Sequence, residues 1–121
     1  MVTAIWVAVG GAVGSLARYG LAGVVNARAH PLGTVTVNVA GSLAIGLLVG
    51  YWGFHVDSPF RIAISIGLLG GFTTFSTFAI DAIYLWEKGE TNIAVASVIV
   101  SVLVGLGAAV VGLVIGRAVA G

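Results

Sequence analysis

The stretch GLLGGFTTFSTF, residues 67–78, decides how this chain is read. It lies inside an apolar segment running from about Phe60 to Trp86. That is long enough to cross a bilayer, which takes about 20 apolar residues as a helix. Within the stretch a Gly-Gly pair loosens the helix, two threonines follow, and a Ser-Thr pair lies between two phenylalanines. Polar side chains and interrupted backbone are tolerated at membrane depth only where protein buries them or where they line a cavity. The stretch therefore predicts a membrane helix broken mid-membrane, beside an ion pathway or an ion site.

Working outward, three more apolar stretches appear, from about Thr3 to Val25, Leu32 to Phe54 and Asn92 to Val119. Of the 121 residues, 60% are hydrophobic and only 7% charged, where a soluble domain carries about 25%. The chain is thus an all-α membrane protein with four transmembrane helices, the third broken, in a single domain over residues 1–121. The separators NARAHP, HVDSP and EKGE are short and polar. Pro31 and Pro59 suit a first helical turn, where a missing N–H costs nothing, and Asp57 or Ser58 is placed to cap the third helix. Trp6, Tyr51, Trp52 and Trp86 stand near span ends, as an aromatic belt requires. The N-terminus lacks a basic region and a cleavage site, so it reads as a retained first span.

Composition also excludes functions. A net charge of +1 gives no pull toward nucleic acid. Zero cysteines removes disulfides and thiolate chemistry. His30 and His55 fall in loops, where solvation is the expected role and pH sensing the alternative. There is no HExxH, no P-loop, no Ser-His-Asp set and no paired carboxylate within the spans, so enzyme chemistry is not expected.

Nineteen glycines are costly for helices in water, but in lipid small residues let helix backbones approach. Small-xxx-small pairs occur at Gly10/Gly14, Gly46/Gly50, Gly67/Gly71 and Gly112/Gly116; packing within the chain is the first expectation and packing between subunits the second. Four spans put Arg61 and Arg117 on one side and Arg28 and Lys88 on the other, with Arg18 near the latter. Lys/Arg bias sets orientation, and here it is almost nil. Such a chain either inserts both ways, so that two copies pair antiparallel, or takes one orientation from weaker cues.

The candidate chemistry is uncharged. Thr34, Asn38 and Ser42 share one face of the second helix at i, i+4, i+8 spacing. A carboxamide inside an apolar helix must find partners, either as interhelical glue or as pathway lining. Ser97 and Ser101 form a similar pair on the fourth helix, with bonding back to their own backbone as the plain alternative. Thr73, Thr74, Ser76 and Thr77 supply four hydroxyls within five residues, and Phe72, Phe75 and Phe78 recur every third position. Packing explains such a stripe, but the positive edge of a phenyl ring beside hydroxyl donors also suits a small anion. Asp81 is either a functional carboxylate or a hydrated interfacial one. Arg18 either snorkels or gathers anions at a pore vestibule.

GGAVGSLARY (10–19), GTVTVNVAGSLAIG (33–46) and GLLGGFTTFSTF (67–78) together resemble the three signature segments of the Fluc fluoride channels, also called CrcB proteins. The resemblance covers the four-span length and the order of the segments. It implies an antiparallel, dual-topology homodimer in a bacterial inner membrane, with two fluoride pathways per dimer. It implies that Phe75 and Phe78 turn their ring edges to the ion, that Asn38 is the pore asparagine, and that Thr34, Ser76 and Thr77 belong to the polar track. It further implies a structural sodium ion held at the helix break by the backbone carbonyls of Gly70 and Thr73 from both subunits. Two positions depart from the family: Asp81 stands where relatives often have glutamate, and Ser97, one turn before Ser101, stands where many have tyrosine.

The function these features imply is passive, fluoride-selective export. Asn38, Ser76, Thr77 and Ser101 would replace water around the ion, with no carboxylate among them to take up a coupling proton. A small multidrug-resistance-type transporter has the same span number, but that class needs a carboxylate in the first span, and residues 3–25 contain none. A non-transporting scaffold subunit would explain the glycines and leave TTFSTF without a purpose.

Overall fold

The computed structural model describes residues 1–55 and 57–121; the separator HVDSP therefore includes one position, Val56, outside the described residues. Four segments are long and apolar enough to cross a membrane: Val2–Asn26, Leu32–Trp52, Pro59–Glu87 and Thr91–Ala120. The first two are the helices α1 and α2. The third span is composite, with α3 at Pro59–Ile62, π-helical winding over Ala63–Leu69, α4 at Gly70–Phe72 and α5 at Phe75–Glu87. The fourth span is α6, Thr91–Ala120.

The helix ends follow local chemistry. α2 stops at Trp52, two residues before the sequence expectation, because Gly53 takes a φ of +84° that ends the helical run. Gly89, at φ +80°, turns the chain from the third span into α6. Ser58, not Asp57, caps α3: its hydroxyl accepts from the Arg61 N–H at 3.2 Å, with Pro59 in the first turn. Pro31 sits one place earlier than a first-turn residue, at the N-cap of α2. The cap side chain there comes from α1, where Asn26 Oδ1 accepts from Gly33 N–H at 2.7 Å.

Glycine sets the packing. α2 lies along α6, and α1 lies along the π-helical stretch and α4. A Cβ on Gly46 would strike Ala109 O, one on Gly50 Leu113 O, one on Gly112 Leu43 O and one on Gly116 Leu47 O. In the other pair, a Cβ on Gly71 would lie 2.6 Å from Gly11 O, and one on Gly10 2.6 Å from Ala63 O. All four small-xxx-small pairs thus serve contacts within the chain, where backbone meets backbone. Many apolar side chains outside these seams point outward, Trp6, Tyr51 and Trp86 among them, while Val37, Leu85, Ala63 and Ala94 are buried.

The third span does break, but not at its glycines. Gly70 has helical dihedrals, φ −62° and ψ −38°, and Gly71 is small because Gly11 is close. The break is at Thr73 and Thr74, both extended, with ψ of 158° and 123°. Thr73 closes the first half by donating both its N–H and its hydroxyl to Leu69 O at 3.0 Å. Thr74 opens the second half as the N-cap of α5, its Oγ1 accepting from Thr77 N–H at 3.2 Å. A β-branched hydroxyl residue suits both tasks, since threonine favours extended backbone and caps helices well.

Gly46→Val should lower stability by about 1–3 kcal/mol or more, the cost of forcing a side chain into a filled seam. Gly23→Ala, with no atom within 4 Å of the added carbon, should change it little. Thr74→Val keeps the shape and loses the cap, at a cost of about 1 kcal/mol. Thermal unfolding of the three variants in one detergent checks the order.

Candidate functional site

The break exposes peptide groups that a helix would satisfy. In an unbroken helix the N–H groups of Thr74 and Thr77 would close onto the carbonyls of Gly70 and Thr73. Here Thr74 N–H donates to Asn38 Oδ1 at 2.8 Å, and Thr77 N–H goes to the Thr74 hydroxyl. Both carbonyls lose their helical donor. Thr73 O accepts only a long bond from Arg18 Nη1, 3.5 Å away. Arg18 is thus drawn in from α1 to the break, partly buried, and does not reach for the interface.

Asn38 is the strut of this arrangement. Its Nδ2 also donates to Thr74 O at 2.8 Å, so one carboxamide clasps both polar groups of one residue. The second Nδ2 hydrogen is left free of these two bonds. Asn38, Ser42, Ser65, Thr73, Thr74 and Phe75 line an open cavity of about 360 Å³ beside the break. Ser65 Oγ, which the sequence did not single out, is buried there without a partner among the described residues.

The hydroxyls beyond the break form a cluster around Thr74. Its Oγ1 donates to Thr77 Oγ1 at 3.2 Å and lies 3.3 Å from Ser76 Oγ. Ser76 and Thr77 are themselves exposed. The Phe75 and Phe78 rings stand 5.6 Å apart, tilted by 49°. Phe75 is 79% exposed and borders the larger cavity, whereas Phe78 borders a small one shared with Thr34, Asp81, Ser97 and Ser101.

This second, narrow cavity, about 10 Å³, continues the polar face of α2. Thr34 does not cap its own helix; its hydroxyl donates to Asp81 Oδ2 at 2.7 Å. A carboxylate therefore does sit beside the pathway candidates, against the expectation that none would, because α5 winds on from the break and brings Asp81 opposite the start of α2. Ser97 bonds back to Ala94 O at 2.8 Å. Ser101 Oγ is buried and without a partner among the described residues. Asp81 opens in turn onto a wider cavity of about 570 Å³ with His30, Tyr84 and Lys88. His30 is not simply solvated: its Nε2 lies 3.7 Å from Asp81 Oδ1. A hydrogen bond that the Lys88 ammonium donates to the Tyr84 side chain holds Lys88 above the ordinary lysine value.

Polar groups thus gather in two cavities, one at the break with Asn38 and Thr74, the other with Thr34, Ser101 and the Asp81 carboxylate. Hydroxyl and amide donors of this kind can exchange with the water of a small anion.

The family model described as CrcB-like protein, Camphor Resistance (CrcB), matches residues 5–113. The chain is 47% identical over 118 residues to the fluoride-specific ion channel FluC of Paracoccus denitrificans, covering 95% of this chain and 94% of that one. It is 44% identical to fluoride-specific ion channel FluC 1 of Nitrobacter hamburgensis, over 92% of both chains. With the FluC protein of Magnetococcus marinus it shares 42% identity, over 93% of this chain and 95% of the other. With four membrane-length helices and relatives matched along almost their whole length, this chain is a multi-pass membrane protein that belongs to the CrcB-like family.

Proposed function

We propose that the protein is a fluoride-specific channel that lets the ion leave the cell down its electrochemical gradient, as the names of its relatives imply. The observation that carries this reading is the clasp of Asn38 on the Thr74 peptide. It holds a helix open at membrane depth and gathers hydroxyls and two phenyl rings beside the opening.

Burying an isolated anion costs tens of kcal/mol unless its hydration shell is replaced. Asn38, Ser76, Thr77 and Ser101 are the hydrogen-bond donors for that exchange, while the Thr34 hydroxyl donates to Asp81. The ring edges of Phe75 and Phe78 add weaker stabilisation. The narrow cavity of about 10 Å³ that Thr34, Phe78 and Ser101 share with Asp81 disfavours larger halides. An interior-negative potential favours anion exit by about 2.3 kcal/mol per 100 mV, so export needs no coupled proton.

The working unit in this reading is an antiparallel homodimer in a bacterial inner membrane, with a fluoride pathway at each of two equivalent places. Exposed Ser76, Thr77 and the open backbone of the break cannot face lipid. A second copy of the chain is the cover the flat Lys/Arg count allows. The carbonyls of Gly70 and Thr73, freed from helical donors, fit a hard cation such as sodium, which takes oxygen ligands. Four such oxygens from two copies would hold the ion, and it would supply positive charge where the two breaks meet. The Arg18 guanidinium on Thr73 O competes for one of them, so Arg18 has to turn from that oxygen where sodium binds.

Purified protein in liposomes should release fluoride, followed with an electrode, and leave chloride trapped; equal chloride release overturns the selectivity. Phe75→Ile and Asn38→Asp should each slow fluoride by at least about tenfold, equivalent to about 1.4 kcal/mol at the barrier, with the dimer intact by size exclusion. Unchanged flux in both variants overturns the site.

A further inference from the structure

The Asp81 carboxylate is shared between two neighbours. Oδ2 accepts from the Thr34 hydroxyl at 2.7 Å, on the pathway side. Oδ1 faces His30 Nε2 at 3.7 Å, on the mouth side. The imidazole is held there by a second contact, edge-on to the Tyr84 ring at 5.9 Å between centroids. The Asp81 side chain is 17% exposed and that of His30 41%. The imidazole is the more exposed of the two and can exchange a proton with water. Imidazole is the one side chain whose charge ordinarily changes between about pH 5 and 8.

The other charged groups lining this mouth are Lys88 and Glu90. Lys88 Nζ stands 4.7 Å over the Tyr84 ring. With His30 neutral, Lys88 stands against Asp81 and Glu90, and the mouth carries one net negative charge. A proton on His30 brings it to zero. Arg28, on the same turn, does not line the cavity.

We propose that His30 is a proton-dependent positioning residue at the mouth of the anion pathway. The inference rests on the fluoride-channel reading. Protonated, His30 pairs with Oδ1, keeps the carboxylate turned so that Oδ2 stays on Thr34, and cancels the charge an approaching fluoride meets. Neutral, it leaves that charge uncompensated and the carboxylate free to swing into the narrow cavity beside Ser101. Flux through the protein therefore rises as pH falls through the histidine range. The His30–Asp81 contact joins the α1–α2 turn to α5, so proton binding acts at the entrance and leaves the break untouched.

The test is fluoride efflux from liposomes with equal pH on both sides, between about pH 8 and pH 6, with protein-free leak subtracted. The wild-type rate should rise roughly tenfold toward low pH, the lower end of what a charged cleft does to ion arrival. His30→Gln should give a flat profile at the high-pH rate. His30→Lys, a permanent cation, should give a flat profile near the low-pH rate. Selective flux with a flat wild-type profile, or a His30→Gln protein that keeps the wild-type slope, overturns this inference alone. No fluoride flux at any pH removes the channel reading and this inference with it.

Discussion

Every peptide group placed in a bilayer must find a partner inside the protein, because lipid offers none. This chain breaks a membrane helix at Thr73 and Thr74 and meets much of that demand from three directions. Asn38 takes both polar groups of Thr74, the Thr74 hydroxyl takes the Thr77 N–H, and Arg18 leans on Thr73 O. Each partner comes from a different place in the chain: α2, the break itself and α1. Those helices must therefore be held in fixed relation to one another, and the glycine seams do this. Where a Cβ would meet a carbonyl oxygen, two backbones run in contact and leave little room to slide.

The same demand explains why the proposed site gathers at the break. A donor that satisfies a peptide is also a donor an ion can use when the geometry leaves it a spare hydrogen. Asn38 keeps one Nδ2 hydrogen beyond its two bonds to Thr74. Among the described residues Ser101 and Ser65 keep buried hydroxyls without partners, which costs energy unless something visits them. In the proposed channel, structure and transport draw on one small set of side chains.

Much of this was legible in the sequence. Span number and span ends follow from apolar length, and the placement of the break within 67–78 follows from polar residues in the wrong solvent. The residue responsible was readable in principle: Thr74 followed by Thr77 has helix-cap spacing, yet the adjacent glycines drew the explanation to themselves. The π-helical winding over Ala63–Leu69 left no mark, since AISIGLL differs little from ordinary helical sequence. The pairing of Asp81 with Thr34 and His30 was hidden for another reason. These residues are 47 or more positions apart in the chain, and only the way α5 continues from the break sets them side by side.

The bond from Arg18 to Thr73 O spans 55 positions of sequence. On the ribosome, α1 emerges first, and its guanidinium has no peptide acceptor at the break until the third span is made. At about 5–20 residues per second, that interval lasts several seconds. Through it the nascent α1 must hold its cation near headgroups or translocon water, and the helix can settle to its final depth only when the broken segment arrives beside it.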